Sequence, residues 1–294
     1  MKTRKVFRIK SLLKWLGILL LAAVVILYLL LPAGLGIYVV LPMRASVGQP
    51  PQGFEEVTLR AADGVELQAW YRAATNSRAI ILLHGASGSR ESVRPYAEML
   101  SRLGYGVLSV DLRGHGMSQG KMNRLGWQGT LDVGAAVEFL EGRSEVQTIG
   151  GLGISMGAEV LLGAASEYPS IQAIAADGAT RRSLEELLAL ESERPLVRNY
   201  TARVMYATVQ LFSGEKPPKP LLDSMIESGS TRFLLIAGGG NKLEVAFNEM
   251  FAGRLGNRAA LWIAPEAEHV QAFRLYPAEY EHRLIEFFDS MVLP

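Results

Sequence analysis

The residues in this chain best suited to chemistry gather around Ser155. It stands in Gly153-Ile154-Ser155-Met156-Gly157, after a strand-like run at 148–152 and before a helix-like run at 158–165. A serine on a sharp strand-to-helix turn exposes its hydroxyl, and glycines two positions to either side leave room for the strained backbone. The helix begins at the serine, so its first N–H groups point at any anion forming there. Such a turn serves nucleophilic attack on an acyl carbonyl. A hydroxyl is a weak nucleophile and needs a base within hydrogen-bond reach. The chain has four histidines. His84 sits beside a glycine-rich turn and His115 within Arg113-Gly114-His115-Gly116, and both read as loop supports. His282 falls off the apolar stripe of the last helix and reads as surface. His269 follows the last strand, where a loop can aim an imidazole at Ser155.

The elements that must position these groups alternate along the chain. Short apolar runs at 80–83, 106–110, 148–154, 171–176, 233–236 and 260–263 read as buried strands. Helical patterns at 90–103, 128–142, after Ser155, at 243–254 and at 277–291 separate or follow them. Alternation of this kind predicts a mostly parallel sheet covered by helices on both faces. Ahead of it, 57–60 and 65–71 flank Asp63-Gly64, a hairpin signal. Tyr280, Leu284, Phe287, Phe288 and Met291 recur at helical spacing and read as core. Asp111 and Arg113 read as a local ion pair bracing the loop after their strand. Residues 179–231 break the rhythm and read as a small helical lid insertion closed by Lys216-Pro217-Pro218-Lys219-Pro220. Its apolar residues either line an acyl or aromatic pocket or pack the lid onto the core.

The turn at His84-Gly85, the segment from Asp111 to Ser118, the elbow at Ser155 and the late His269 together make the chain resemble an α/β-hydrolase over roughly residues 54–294. More narrowly it resembles bacterial membrane-anchored serine hydrolases of the esterase and dipeptidyl-peptidase-like kind. The resemblance implies an α/β-hydrolase fold and a triad in the order Ser, acid, His, with Ser155 as nucleophile and His269 as base. It places the acid after the strand ending at Ile236, where the sequence reads Ala237-Gly238-Gly239-Gly240-Asn241-Lys242-Leu243-Glu244. Here the chain departs from the pattern, because Asn241 stands where many relatives carry Asp. Asn would orient the histidine but supply no charge. Glu244, one helical turn on, is the expected acid; Asp177 is the fallback and Asn241 the third choice. The resemblance also implies an oxyanion hole made by the backbone N–H groups of Ala86 and Met156.

Composition narrows the classes further. The 294 residues carry a net charge of +1 and are 49% hydrophobic. That balance gives no electrostatic case for nucleic acid. There is no cysteine, which excludes a thiol nucleophile, a disulfide framework and thiolate metal sites. No His, Asp and Glu cluster has metal-ligand spacing, and no cofactor is expected.

The N-terminus has a different character. Lys2, Arg4, Lys5, Arg8, Lys10 and Lys14 form a basic cluster with no acid among them, and Trp15 to Leu31 is an unbroken apolar run. The reading is a cytoplasmic basic tail at 1–11, a transmembrane anchor at 12–43 with tilt or a kink at Pro32, a linker at 44–53 and the hydrolase domain at 54–294. Trp15, Tyr28 and Tyr38 suit the interfaces, Tyr28 at greater depth. Lysine and arginine asymmetry places the N-terminus in the cytoplasm and the catalytic domain on the extracytoplasmic side of the cell membrane. The competing reading is a cleaved signal peptide, whose apolar core is shorter, about 7–15 residues, and ends in a small-residue cleavage site.

The expected activity is carboxylic ester hydrolysis on a small-molecule acyl substrate through an acyl-enzyme. A peptidase or amidase on the same triad is the alternative; it needs charge to hold a peptide amine, for which Glu185 and Glu186 are the candidates. A catalytically silent binding protein on this fold is the reading from another class.

Overall fold

In the computed structural model, which describes residues 2–41, 44–190 and 196–291, the apolar runs form one eight-stranded sheet. Helix α1 (Lys2–Val25), a π-helical turn (Ile26–Leu30) and α2 (Leu31–Val40) come first. The hairpin β1 (Glu55–Arg60) and β2 (Glu66–Arg72) follows, then β3 (Arg78–Leu83), α3 (Arg94–Arg102) and β4 (Gly106–Val110). Next come α4 (Gly129–Glu141), β5 (Thr148–Ile154), α5 (Met156–Ala164) and β6 (Ile171–Asp177). Three helices, α6 (Leu184–Leu190), α7 (Leu196–Ser213) and α8 (Leu221–Glu227), lie between β6 and β7 (Arg232–Gly238). The chain continues through α9 (Lys242–Leu255), β8 (Ala259–Ala264), α10 (Ala272–Leu275) and α11 (Pro277–Asp289).

The strand order is β1-β2-β4-β3-β5-β6-β7-β8. Only β2 runs antiparallel to its neighbours; β4 through β8 are parallel. The order reverses at β3, which pairs with β4 on one side and β5 on the other. Open α/β sheets bind ligands beyond the carboxyl ends of the strands at such a switch point. Every residue of β4 and β5 is buried, because helices cover both faces. One face buries Val133, Leu161, Phe247 and Phe251 beneath α4, α5 and α9. The other buries Tyr96, Leu100, Tyr280, Leu284 and Phe288 beneath α3 and α11. The stripe expected on the last helix is this second core, and each such side chain adds about 1.5–3 kcal/mol by leaving water.

The N-terminal helix runs unbroken from Ser11 to Val40, 30 residues with a mean hydropathy of 2.8, long and apolar enough to cross a membrane. It does not break at Pro32. A π-helical turn precedes the proline, and the Leu31 N–H donates to the Ile26 carbonyl. The helix does not stand clear of the rest of the chain. Its face at Tyr28, Pro32, Gly36 and Val39 is turned inward, and α2 packs along α7. A Cβ on Gly36 would lie 2.7 Å from the Met205 carbonyl oxygen and 2.8 Å from Thr208 Cβ, so the two backbones meet there. The Val39 carbonyl accepts the Arg124 N–H at 3.1 Å, and the Arg124 guanidinium lies 4.0 Å above the Tyr38 ring.

Residues 44–53 are extended and bound to the domain surface. The Gly48 N–H donates to Glu91 at 3.1 Å, Arg94 donates to the Gln49 carbonyl at 2.5 Å, and Arg72 donates to that of Gln52 at 3.0 Å. Of the expected anchor, Pro42 and Met43 lie outside the described residues; so do 191–195 of the expected insertion and 292–294 of the domain.

One local expectation is corrected. Asp111 and Arg113 do not pair with each other. Asp111 is fully buried, pairs with the Arg90 guanidinium and accepts the Arg90 and Met117 N–H groups at 2.6 and 2.9 Å. Arg113 instead holds Asp132 at 2.8 Å and Asp63 at 2.7 Å. Two residues apart on a turning loop, the two side chains leave in different directions, and each finds a partner from another element.

Candidate active site

Ser155 has φ 54° and ψ −117°, a conformation rare for any residue with a Cβ. Its surroundings enforce it. A Cβ on Gly153 would lie 2.4 Å from the Ala158 nitrogen, and one on Gly157 would lie 2.5 Å from the Leu83 carbonyl oxygen. Only glycine lets β5 turn into α5 this tightly and lets α5 lie against the end of β3. The Ser155 N–H donates to the Asp177 carbonyl at 2.7 Å, tying the turn to β6. The strain costs about 1–3 kcal/mol and is held by these contacts.

The Ser155 hydroxyl lies 2.8 Å from Nε2 of His269, and Nδ1 of His269 lies 2.7 Å from Oε2 of Glu244. His269 sits in the loop between β8 and α10, beside Val270 at φ 52°. Its side chain is 44% exposed, whereas Glu244 is fully buried. The bond to Glu244 raises the His269 pKa above the ordinary 6.5, against an opposing effect of burial. Since the carboxylate accepts the hydrogen bond from Nδ1–H, Nε2 faces the serine as an acceptor.

Glu244 is the third residue of α9, and Asn241 is its N-cap, accepting the Glu244 N–H at 3.3 Å. This is half of a capping box. The glutamate does not complete the box. Its Oε1 accepts the Gly238 N–H at 2.6 Å, and its Oε2 faces His269 and Asn241 Nδ2. Asn241 therefore braces the carboxylate and does not itself meet the histidine. The Asn-x-x-Glu spacing was visible in the sequence; the diversion of the glutamate from cap to imidazole was not.

Asp177, the fallback acid, is placed elsewhere. It is fully buried, its Oδ2 accepts the Tyr280 hydroxyl at 3.0 Å, and its Oδ1 has no partner. Burial pushes its pKa up to about 7. It stands behind the site as a carboxyl sealed against α11.

The turn after β3 closes the other side. A Cβ on Gly85 would touch Ser155 Cβ at 3.4 Å. Among the described residues, no acceptor takes the N–H of Ala86 or Met156. Two histidines hold this turn. Nε2 of His84 accepts the Leu112 N–H at 3.1 Å, so its proton is on Nδ1, which donates to the Gly85 carbonyl at 2.8 Å. Burial lowers the His84 pKa to about 3 and keeps it neutral. His115 lies 3.0 Å from both the Ala86 and Arg113 carbonyl oxygens. His282 is exposed and remote, near Glu286.

Glu159, one turn along α5 from Ser155, had no assigned role in the sequence. Its Oε1 accepts the Thr180 N–H, the Thr180 hydroxyl and the Arg181 N–H at 3.0, 2.8 and 3.0 Å. It ties the start of the insertion to the serine-bearing helix. Glu186 is equally occupied. It is buried and accepts the Arg182, Ser183 and Leu221 N–H groups, whereas Glu185 is exposed.

The sequence profile of the α/β-hydrolase fold matches residues 78–289, and the chain belongs to that family. It is 36% identical over 94 residues to a thermostable monoacylglycerol lipase of Bacillus sp. strain H-257; the match covers 31% of this chain and 36% of the lipase. The chain thus spans about a third of that relative's length. Among solved structures it is similar to the Pyrococcus furiosus esterase Pf2001, with a TM-score of 0.67 and 27% identity over 84% of this chain and 98% of the esterase. The Exiguobacterium antarcticum esterase, at 17% identity and a TM-score of 0.60 over 80% of this chain and all of its own, shares the fold.

Proposed function

We propose that the chain is a membrane-anchored serine hydrolase that cleaves carboxylic esters through an acyl-enzyme on Ser155. The observation that carries this reading is the continuous bond path from the Ser155 hydroxyl through His269 to buried Glu244, set on a strained turn facing two N–H groups. The likeness to a lipase and an esterase favours an oxygen ester over an amide.

The ester carbonyl sits between the Ser155 hydroxyl and the Ala86 and Met156 N–H groups. His269 Nε2 takes the hydroxyl proton as Oγ bonds to the carbonyl carbon. The carbonyl oxygen becomes an oxyanion held by the two N–H groups, each worth about 3 kcal/mol at the transition state. Glu244 stabilises the imidazolium and fixes its tautomer. Collapse breaks the carbon–oxygen bond to the alcohol, which leaves with the proton from Nε2. Water then attacks the acyl-enzyme, gives its proton to His269, and the acid leaves as Ser155 recovers its hydrogen.

The apolar helix would span the bilayer as a single-pass anchor. The basic residues before Trp15 favour an N-terminus in the cytoplasm and a catalytic domain on the other side. Helices α6 to α8 would form a lid. Hydrolysis of p-nitrophenyl esters of increasing chain length, with fluorophosphonate labelling, tests the chemistry. Labelling that persists in Ser155→Ala, or a folded wild type that neither labels nor turns over, would refute it.

A further inference from the structure

Five consecutive residues, 177–181, run along the whole path from Ser155 through His269 to Glu244. The Asp177 carbonyl accepts the Ser155 N–H at 2.7 Å. Gly178, at φ 77°, comes up against the imidazole. A Cβ there would stand 2.9 Å from Cε1 of His269, 3.1 Å from its Nδ1 and 2.7 Å from Val270. Ala179, Thr180 and Arg181 are then fastened to the helices that carry the serine and the glutamate.

Two buried polar side chains do the fastening. Glu159, on α5 one turn after Ser155, takes the Thr180 N–H, the Thr180 hydroxyl and the Arg181 N–H on one oxygen. Asn248, on α9 one turn after Glu244, donates from Nδ2 to the Ala179 carbonyl at 2.9 Å and to the Glu244 carbonyl at 2.8 Å. Packing alone would place apolar residues at both positions. Every residue of α5 is buried, and Asn248 shares the buried side of α9 with Phe247 and Phe251. Burying a carboxylate or an amide there costs stability, and Oδ1 of Asn248 has no partner among the described residues. The return on that cost is a strip of backbone held in one place.

His269 is the group that needs such a hold. It stands in the loop between β8 and α10, and its side chain is 44% exposed. Its two nitrogens meet Ser155 and Glu244, but hydrogen bonds at the ring's edge leave the ring free to swing toward solvent unless something stands beside it. Gly178 stands there, and the missing Cβ lets the ring come close.

We infer that Glu159 and Asn248 are positioning residues for His269. By pinning Ala179, Thr180 and Arg181 to α5 and α9 they hold Gly178 against the imidazole, which keeps the ring in line between Ser155 and Glu244. The root of the insertion thereby acts on the histidine itself. The kinetic consequence rests on the proposed ester hydrolysis; the placing of the ring does not.

The test uses full-length protein in detergent micelles with nitrogen-15 in its four histidines. The signals of His269 are those lost in His269→Gln. Wild type is expected to show one tautomer, with the proton on Nδ1. In Glu159→Ala and in Asn248→Ala the Nδ1 and Nε2 shifts are expected to move toward one another as the loosened ring samples both tautomers. Glu159→Gln keeps an oxygen for the three donors and is expected to restore the wild-type shifts. With p-nitrophenyl acetate both alanine variants are expected to lose on the order of 10²-fold in kcat, the scale of a misplacement of about 1 Å, with KM held within about twofold. Circular dichroism checks that each variant is folded; Asn248→Ala removes no charge and carries the test if Glu159→Ala does not fold. Shifts unchanged in the folded alanine variants, Glu159→Gln no better than Glu159→Ala, or a change in KM alone would overturn the inference. A wild type that shows the Nδ1 proton but neither turns over nor takes a fluorophosphonate would refute the ester reading, and the histidine shifts would still decide this one.

Discussion

Glu244 reaches Nδ1 of His269 at 2.7 Å from a helix, α9, whose N-cap is the residue three positions earlier. The carboxylate thus comes from one turn inside a helix rather than from the loop ahead of it, and the longer glutamate side chain spans the difference. Glu244→Gln is expected to lower kcat by about 10³–10⁴-fold, since the amide can present the wrong hydrogen-bonding group to Nδ1. Asp177→Asn is expected to keep kcat within about threefold, because Asp177 bonds to Tyr280 and not to the imidazole. Parallel ester assays of the two variants separate the carboxyl groups; a larger loss in Asp177→Asn would reverse the assignment.

The pH profile follows from His269. On the proposed mechanism only the neutral imidazole accepts the serine proton, and the bond to Glu244 holds its pKa above 6.5. The acidic limb of kcat/KM is therefore expected to have its midpoint above 6.5, with activity lost as pH falls through it. In Glu244→Gln the limb is expected to move to lower pH. A midpoint that stays put in that variant would mean that another group governs the limb.

Asp177 makes a prediction about stability rather than rate. Its pKa is about 7 in the fold and 3.8 when solvated. Between those values the folded state holds the extra proton, so stability falls as pH rises through the interval and the full penalty is present above about pH 7. Asp177→Asn removes the penalty. The gain in Tm over wild type is expected to be larger at pH 8 than at pH 4 by several degrees, read by thermal melts at both. A gain independent of pH would show that Asp177 does not titrate in this range.

Gly36 couples the N-terminal helix to the insertion. A leucine there would drive its Cβ into the Met205 carbonyl and Thr208, at a cost of about 1–3 kcal/mol or by separating the helices. Gly36→Leu is expected to leave hydrolysis of a soluble short-chain ester unchanged and to lower that of a long-chain ester presented in vesicles. Equal effects on both substrates would place the damage in the catalytic domain instead.

The sheet was legible because buried parallel strands are continuous apolar runs, and β3 to β8 each appear as one. The elbow was legible because Gly153 and Gly157 answer a local steric demand. Contacts between distant elements were not. Nothing in the Asp111-Leu112-Arg113 sequence says that Arg90 lies under one carboxylate and Asp132 beside the guanidinium. Likewise an apolar helix long enough to span a bilayer gives no sign that its last ten residues pack on α7. Periodicity reports which side of an element is apolar, and here every side of the helix is.

The bonds that fasten residues 48–52 to Glu91, Arg94 and Arg72, with the seating of α2 on α7, make this connection a strut rather than a tether. On the proposed membrane span, a body held that way would keep its mouth at one bearing to the bilayer, and an amphiphile drifting sideways in that plane would meet it at a fixed height and angle. The encounter would become a search in two dimensions, in which the amount of substrate per unit area, and not its concentration in the surrounding water, sets how often the serine is approached.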